Sequence, residues 1–118
     1  MDKTKTVYIA GKISGNLENY KAEFQAAEDK LRALGFERIL KPSILPGNLE
    51  YEQYMPICFA MISVSDYIYF LDNWQESSGA LREFHYAFAN NIEILNIELD
   101  AEWMENIKKG IKRQFNFF

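Results

Sequence analysis

The run Tyr67-Ile68-Tyr69-Phe70-Leu71, followed by Asp72-Asn73-Trp74-Gln75-Glu76-Ser77-Ser78-Gly79-Ala80-Leu81-Arg82-Glu83, decides how the whole chain reads. Five residues without polar alternation describe a strand covered on both faces, the habit of parallel sheets. The small and polar residues 72–78 then make a turn. Ala80, Phe84, Ala87 and Phe88 recur at helical spacing until Asn90-Asn91 stops them. Strand, turn and helix in that order form one half of a βαβ unit.

Outward from this unit the alternation repeats. Upstream, Tyr51, Met55, Phe59 and Ile62 form the apolar stripe of a helix. Pro56 is tolerable only in a first turn, so the regular helix is expected to start as late as Met55. Residues 42–48, with Pro46-Gly47, read as a loop, and 37–40 as a short strand. Thr6-Val7-Tyr8-Ile9-Ala10 is a buried strand that runs into Gly11-Lys12-Ile13-Ser14-Gly15-Asn16. Tyr20, Phe24, Ala27, Leu31 and Leu34 then repeat at helical spacing, with Gly35 as a stop. Downstream, 92–97 is a fourth strand, and Trp103, Ile107 and Ile111 mark a final helix. The order predicts an α/β fold: a parallel sheet of four to five strands with helices on both faces. With right-handed crossovers the simplest strand order is 2-1-3-4. Its switch point lies between the first and third strands, where ligands bind at the strand carboxyl ends. The loops leaving those strands are 11–16 and 72–79.

The totals bound the rest. A chain of 118 residues fits one domain, taken as 1–118. Hydrophobic residues at 48% and charged residues at 25% are ordinary for a globular protein. No apolar run reaches the roughly 18 residues that span a bilayer, and the N-terminus lacks a signal-peptide pattern. One cysteine, Cys58, leaves no internal disulfide, so a cytoplasmic location and no membrane contact are expected. A net charge of −4 disfavours a nucleic-acid polymer as partner. The basic cluster Lys108, Lys109, Lys112 and Arg113 is accounted for by the last turn of a helix. No histidine, cysteine or carboxylate group has metal-ligand spacing, and no cofactor is expected.

Ser77, Ser78 and Gly79 stand where a helix begins. Free backbone N–H groups there, with serine hydroxyls, make an anion site, and Gly79 permits close approach. One of the serines also reads as a simple N-cap. Gly11, Lys12, Ser14 and Gly15 form a second, weaker half of such a cradle; the P-loop ending and the G-x-G-x-x-G pattern are both missing. Glu83 lies one turn inside the helix. Pattern alone favours a solvated glutamate paired with Arg82 or Lys12; the functional alternative is an ionised nucleophile beside the helix N-terminus. His85, two residues on, faces nearly the other way and reads as surface or interface. Cys58 reads as a small buried side chain. Trp74 either stacks on a base or covers the sheet edge.

Val7-Tyr8-Ile9-Ala10-Gly11-x-Ile13-x-Gly15, Pro42, Pro46, Tyr54-Met55, Asp66, Trp74 and Ser77-x-Gly79-Ala80-x-x-Glu83 together resemble a family of small phage and bacterial proteins of unknown function. That family is grouped with the nucleoside 2-deoxyribosyltransferases and the 2'-deoxynucleoside 5'-monophosphate N-glycosidases. The similarity runs from about Val7 to Ile97. It implies a flavodoxin-like fold and an N-glycosidic bond as target. It also implies that Glu83 attacks the anomeric carbon, and that water or a second base resolves the glycosyl intermediate. Ser77, Ser78 and Gly79, with Gly11, Lys12, Ser14 and Gly15, are the implied phosphate contacts; Tyr8 and Trp74 are the implied base contacts. The related enzymes carry an aspartate near the position of Cys58, which a thiol cannot replace at neutral pH. Either Asp72 or Glu76 then substitutes, or the protein binds a nucleotide without turning it over. Such sites borrow residues from a second subunit. With the apolar end Phe115-Asn116-Phe117-Phe118, a homodimer or larger homo-oligomer is expected.

Overall fold

The computed structural model describes residues 1–97. The expected final helix, the basic cluster at 108–113 and the aromatic end at 115–118 lie outside the described residues. The chain runs β1 (Thr6–Ala10), α1 (Tyr20–Ala33), β2 (Arg38–Leu40), α2 (Tyr51–Ser63), β3 (Tyr67–Phe70), α3 (Ser78–Ala89) and β4 (Glu93–Ile94). The sheet is parallel in the order β2-β1-β3-β4, as expected, and the three-layer arrangement is flavodoxin-like. Val7 pairs with Ile39 on one side and Tyr67 on the other; Ile68 pairs with Ile94.

The two-residue period of β1 splits the core into two layers. Val7 and Ile9 face a cluster with Phe24, Leu31 and Phe36; Tyr8 and Ala10 face one with Ile62, Phe70, Trp74 and Phe84. α1 ends where Gly35 takes φ +107, a conformation L side chains rarely adopt. The Phe36 N–H donates to Leu31 O at 3.1 Å and the Gly35 N–H to Arg32 O at 3.0 Å. This is a Schellman cap, and its two apolar ends, Leu31 and Phe36, are both core residues. Leu34, expected on the buried stripe, is instead the exposed C-cap residue.

Two expected boundaries move. α2 begins at Tyr51, not Met55, so Pro56 stands in its second turn. The start is held by the Glu50 N–H, which donates to the Gln53 side chain at 2.8 Å. Pro56 removes one backbone bond from a helix whose inner face is still anchored by Met55, Cys58 and Ile62. β4 is two residues long rather than spanning 92–97. Beyond it the Asn96 side chain replaces the ladder: its Oδ1 accepts from the Phe70 N–H at 3.0 Å and its Nδ2 donates to Phe70 O at 2.6 Å. No helix among the described residues is long and apolar enough to cross a membrane.

Candidate functional site

A cavity of about 470 Å³ opens at the carboxyl ends of β1 and β3, within the range of small-molecule sites. One wall is the loop after β1, with Gly11, Ile13 and Ser14; another is the start of α3, with Ser77, Ser78 and Gly79. α2 contributes Tyr51, Tyr54 and Cys58. Glu83 also lines the cavity.

The α3 terminus is shaped by its cap. Ser77 has extended backbone and its Oγ accepts from the Ala80 N–H at 3.1 Å, so Ser77 is the capping serine. The Leu81 N–H donates to Ser77 O at 3.0 Å. Among the first-turn donors this leaves the N–H groups of Ser78 and Gly79 for a ligand. On the opposite wall, a β-carbon on Gly11 would sit 2.4 Å from Leu71 Cδ1, so β1 can pass the end of β3 only with glycine there.

Glu83 is 4% exposed, which overturns the solvated reading. The cap explains why: helix geometry turns the sixth residue after Ser77 onto the same face as Ala80 and Ala87, toward the sheet. There the Tyr8 hydroxyl, rising from β1, donates to Glu83 Oε2. Burial pushes the Glu83 carboxyl from its ordinary 4.5 up to about 8, and the Tyr8 bond only partly offsets it. Burial, together with the Glu83 charge, likewise holds the Tyr8 hydroxyl well above its usual range. Cys58 lies against both groups. Burial first, then Glu83, pushes its thiol up to about 12, so it is a neutral, small, buried side chain as expected. The three side chains reach one point from three elements, and at neutral pH all are mainly protonated.

The other expected site residues divide. Gly11, Ser14, Ser77, Ser78 and Gly79 line the cavity; Lys12, Gly15, Asp72, Trp74 and Tyr8 do not. The Lys12 N–H donates to Asn73 Oδ1 at 3.1 Å, and its side chain lies beside Gly15, with Cε 3.5 Å from where a β-carbon on Gly15 would stand. Asp72 is exposed, whereas Glu76 is on the cavity wall. Trp74 is buried between Phe70 and Phe84, its ring 5.1 Å from the Phe84 ring and nearly parallel to it. Of its two readings, the one over the sheet holds. Tyr8 meets Glu83 rather than the open space. His85, expected at the surface, is buried edge-on against Phe84, and burial lowers its pKa. No cationic side chain of the described residues lines the cavity, and no group of three or more metal-binding side chains occurs among them.

Tyr20, Tyr51 and Met55, expected on the apolar helix stripes, also line the cavity, while Tyr20 and Met55 are buried in the core as expected. The available signal was Tyr51 and Tyr54, three residues apart and therefore on one helix face. The fold and the site define an α/β protein with a parallel sheet and a cavity at its switch point. The chain belongs to the family described as Domain of unknown function (DUF4406), whose model matches residues 5–96. That description names no activity. No curated protein and no solved structure matches the chain.

Proposed function

We propose that this protein cleaves or transfers at the N-glycosidic bond of a nucleoside or its 5'-monophosphate, with Glu83 as nucleophile. The observation that carries the reading is a buried carboxyl on the wall of a nucleoside-sized cavity, held by one donated hydrogen bond from Tyr8. Ionised Glu83 attacks the anomeric carbon, the C–N bond breaks, and the base leaves with the bonding electrons and takes up a proton. Water or a second base then displaces the glycosyl ester. Of the two turn carboxyls, Glu76 is the one on the cavity wall and, in this reading, the one beside the substrate, while the departing base takes its proton from water. The N–H groups of Ser78 and Gly79, with the hydroxyls of Ser14 and Ser78, are the donors for a 5'-phosphate. Positive charge developing on the sugar favours the ionised form of Glu83 at the moment it is needed.

To test this, the protein is incubated with a panel of nucleosides and nucleoside monophosphates and free base is followed by chromatography. Base release from at least one member, lost in Glu83→Ala, is the expected result. Release that continues undiminished in that variant removes Glu83 from the role.

A second reading is a protein that binds a nucleotide without turning it over. It is favoured by the neutral thiol of Cys58 beside Glu83, near the position where the enzymes that the sequence resembles carry an aspartate working with the nucleophile. Calorimetric binding of intact nucleotide with no free base over hours separates it from the first. A ligand at a hundredfold its Kd stabilises by about 2.7 kcal/mol, so a thermal-shift panel with no response counts against both.

A further inference from the structure

The two loops that wall the cavity are tied together by side chains that do not themselves line it. Asn73, in the turn after β3, accepts the Lys12 N–H on its Oδ1 at 3.1 Å. Its Nδ2 donates to Glu23 Oε2 on α1 at 2.8 Å. The same Glu23 oxygen accepts from Asn16 Nδ2 at 3.2 Å, and Asn16 Nδ2 also donates to Lys12 O at 3.1 Å. The Asn73 carbonyl accepts the Glu76 N–H at 3.1 Å, which starts the tight turn leading to Ser77. One carboxylate oxygen therefore closes a ring of contacts through the loop after β1, the first turns of α1 and the turn after β3. The bonds span 61 and 50 residues of sequence. None of the ion pairs among the described residues involves Glu23; it meets amide donors instead. Neither Glu23 nor Asn73 borders the cavity, while Gly11, Ile13, Ser14, Glu76 and Ser77 on either side of the ring do.

We propose that Glu23 and Asn73 are positioning residues: they set the spacing between the loop at 11–16 and the turn at 73–77, and so the width of the ligand site. The inference rests on the proposed function only for what the site holds. Hydrogen bonds depend on distance and angle, so a clasp of this kind fixes one separation of the loops rather than merely favouring contact. The acceptor, not the charge, does the fixing, because both partners of Glu23 are neutral amides. Glutamine keeps one such acceptor and alanine keeps none.

The test uses Glu23→Ala, Glu23→Gln and Asn73→Ala in the full chain, with amide hydrogen exchange as the first readout and calorimetric affinity for deoxyadenosine 5'-monophosphate as the second. The Lys12 amide is decisive in Glu23→Ala, because Glu23 does not touch it and reaches Lys12 only through the side chains of Asn73 and Asn16. The expected result is exchange at Lys12 and through 11–16 at least tenfold faster in both alanine variants, with exchange in β1 and β3 unchanged. Affinity for the nucleotide falls about tenfold in both, and Glu23→Gln restores exchange and affinity. Unchanged exchange at Lys12 in Glu23→Ala overturns the proposal, as does acceleration spread evenly over the sheet, which marks a structural role only. A glutamine variant as impaired as alanine overturns it too, since charge is then the operative property. If the wild-type protein binds no nucleotide, the proposed function fails while the exchange pattern still decides the clasp.

Discussion

Glu28 on α1 and Glu83 on α3 are both carboxyls on helices packed against the same sheet, and they hold their protons in opposite ways. Burial acts on Glu28 too, but hydrogen bonds from Arg32 and Lys41 outweigh it and bring its carboxyl below the usual range. Arg32 Nε lies 3.1 Å and Lys41 Nζ 3.2 Å from its oxygens, at the edge of the molecule where water shares the load. Among the described residues no cation pairs with Glu83; its donor is a phenol and its other companion a thiol. The α1 face keeps its charged groups outside the apolar layer, whereas the α3 face encloses a titratable carboxyl that burial keeps mainly protonated at neutral pH. The difference singles out Glu83 as the candidate functional carboxyl. A buried carboxyl without a cation costs stability, and a fold tolerates such a group where chemistry or binding uses it.

The largest effect that sharpens this contrast is on turnover. Glu83→Gln keeps the shape and the Tyr8 bond but cannot form a glycosyl ester, so base release is expected to fall roughly a thousandfold or more. In the wild-type protein the rate should climb about tenfold per pH unit toward a plateau above about 8, because only the ionised carboxyl attacks. A rate that is flat from pH 6 to pH 9 breaks the assignment.

Stability should move the other way with pH. The folded protein holds the Glu83 proton up to about 8, while the unfolded chain releases it near 4.5. Between those values the folded state binds more protons, so stability is full below about 4.5 and declines as pH rises through about 8. The total loss is on the order of 5 kcal/mol by linkage. Urea titrations at pH 5 and pH 9 should show that decline in the wild type and much less of it in Glu83→Gln. The corresponding Glu28→Gln variant should show no such gain at alkaline pH.

Tyr8→Phe removes the one donor to Glu83 among the described residues. Leaving the buried carboxyl without it costs roughly 1–2 kcal/mol, read as a lower urea midpoint. It should also push the Glu83 carboxyl still higher, moving the midpoint of the pH–rate curve upward; an unmoved midpoint would detach Tyr8 from the site. The smallest effect belongs to the α1 face. Arg32→Ala breaks a partly exposed pair and should cost no more than about 0.5 kcal/mol in the same titration, with ligand affinity unchanged.

Much of this was legible in the residues themselves. The alternation of apolar strand and periodic helix predicted the sheet order that the fold shows, because one face of each helix and both faces of a parallel strand must be apolar. Gly35 announced the end of α1, and the serine pair announced the start of α3. The site's place, between the loops after β1 and β3, followed from the same topology. Less was legible where distant side chains decide. Trp74 could face a ligand or the core until Phe70 and Phe84 met it. His85 was expected at the surface or an interface because it stands two residues from Glu83 and faces nearly the other way, whereas α3 buries residues on more than one side.

By itself, then, the sequence determined the layers, the strand order and the end of the sheet where the cavity opens, since these depend on local periodicity and short connections. Only the tertiary structure decided that Glu83 is dry and protonated, that Tyr8 rather than a cation meets it, and that Glu23 and Asn73 hold the two loops in register. Each of those facts joins residues at least 50 positions apart. A carboxyl's proton depends on the water and charge around it, and sequence neighbours do not report either.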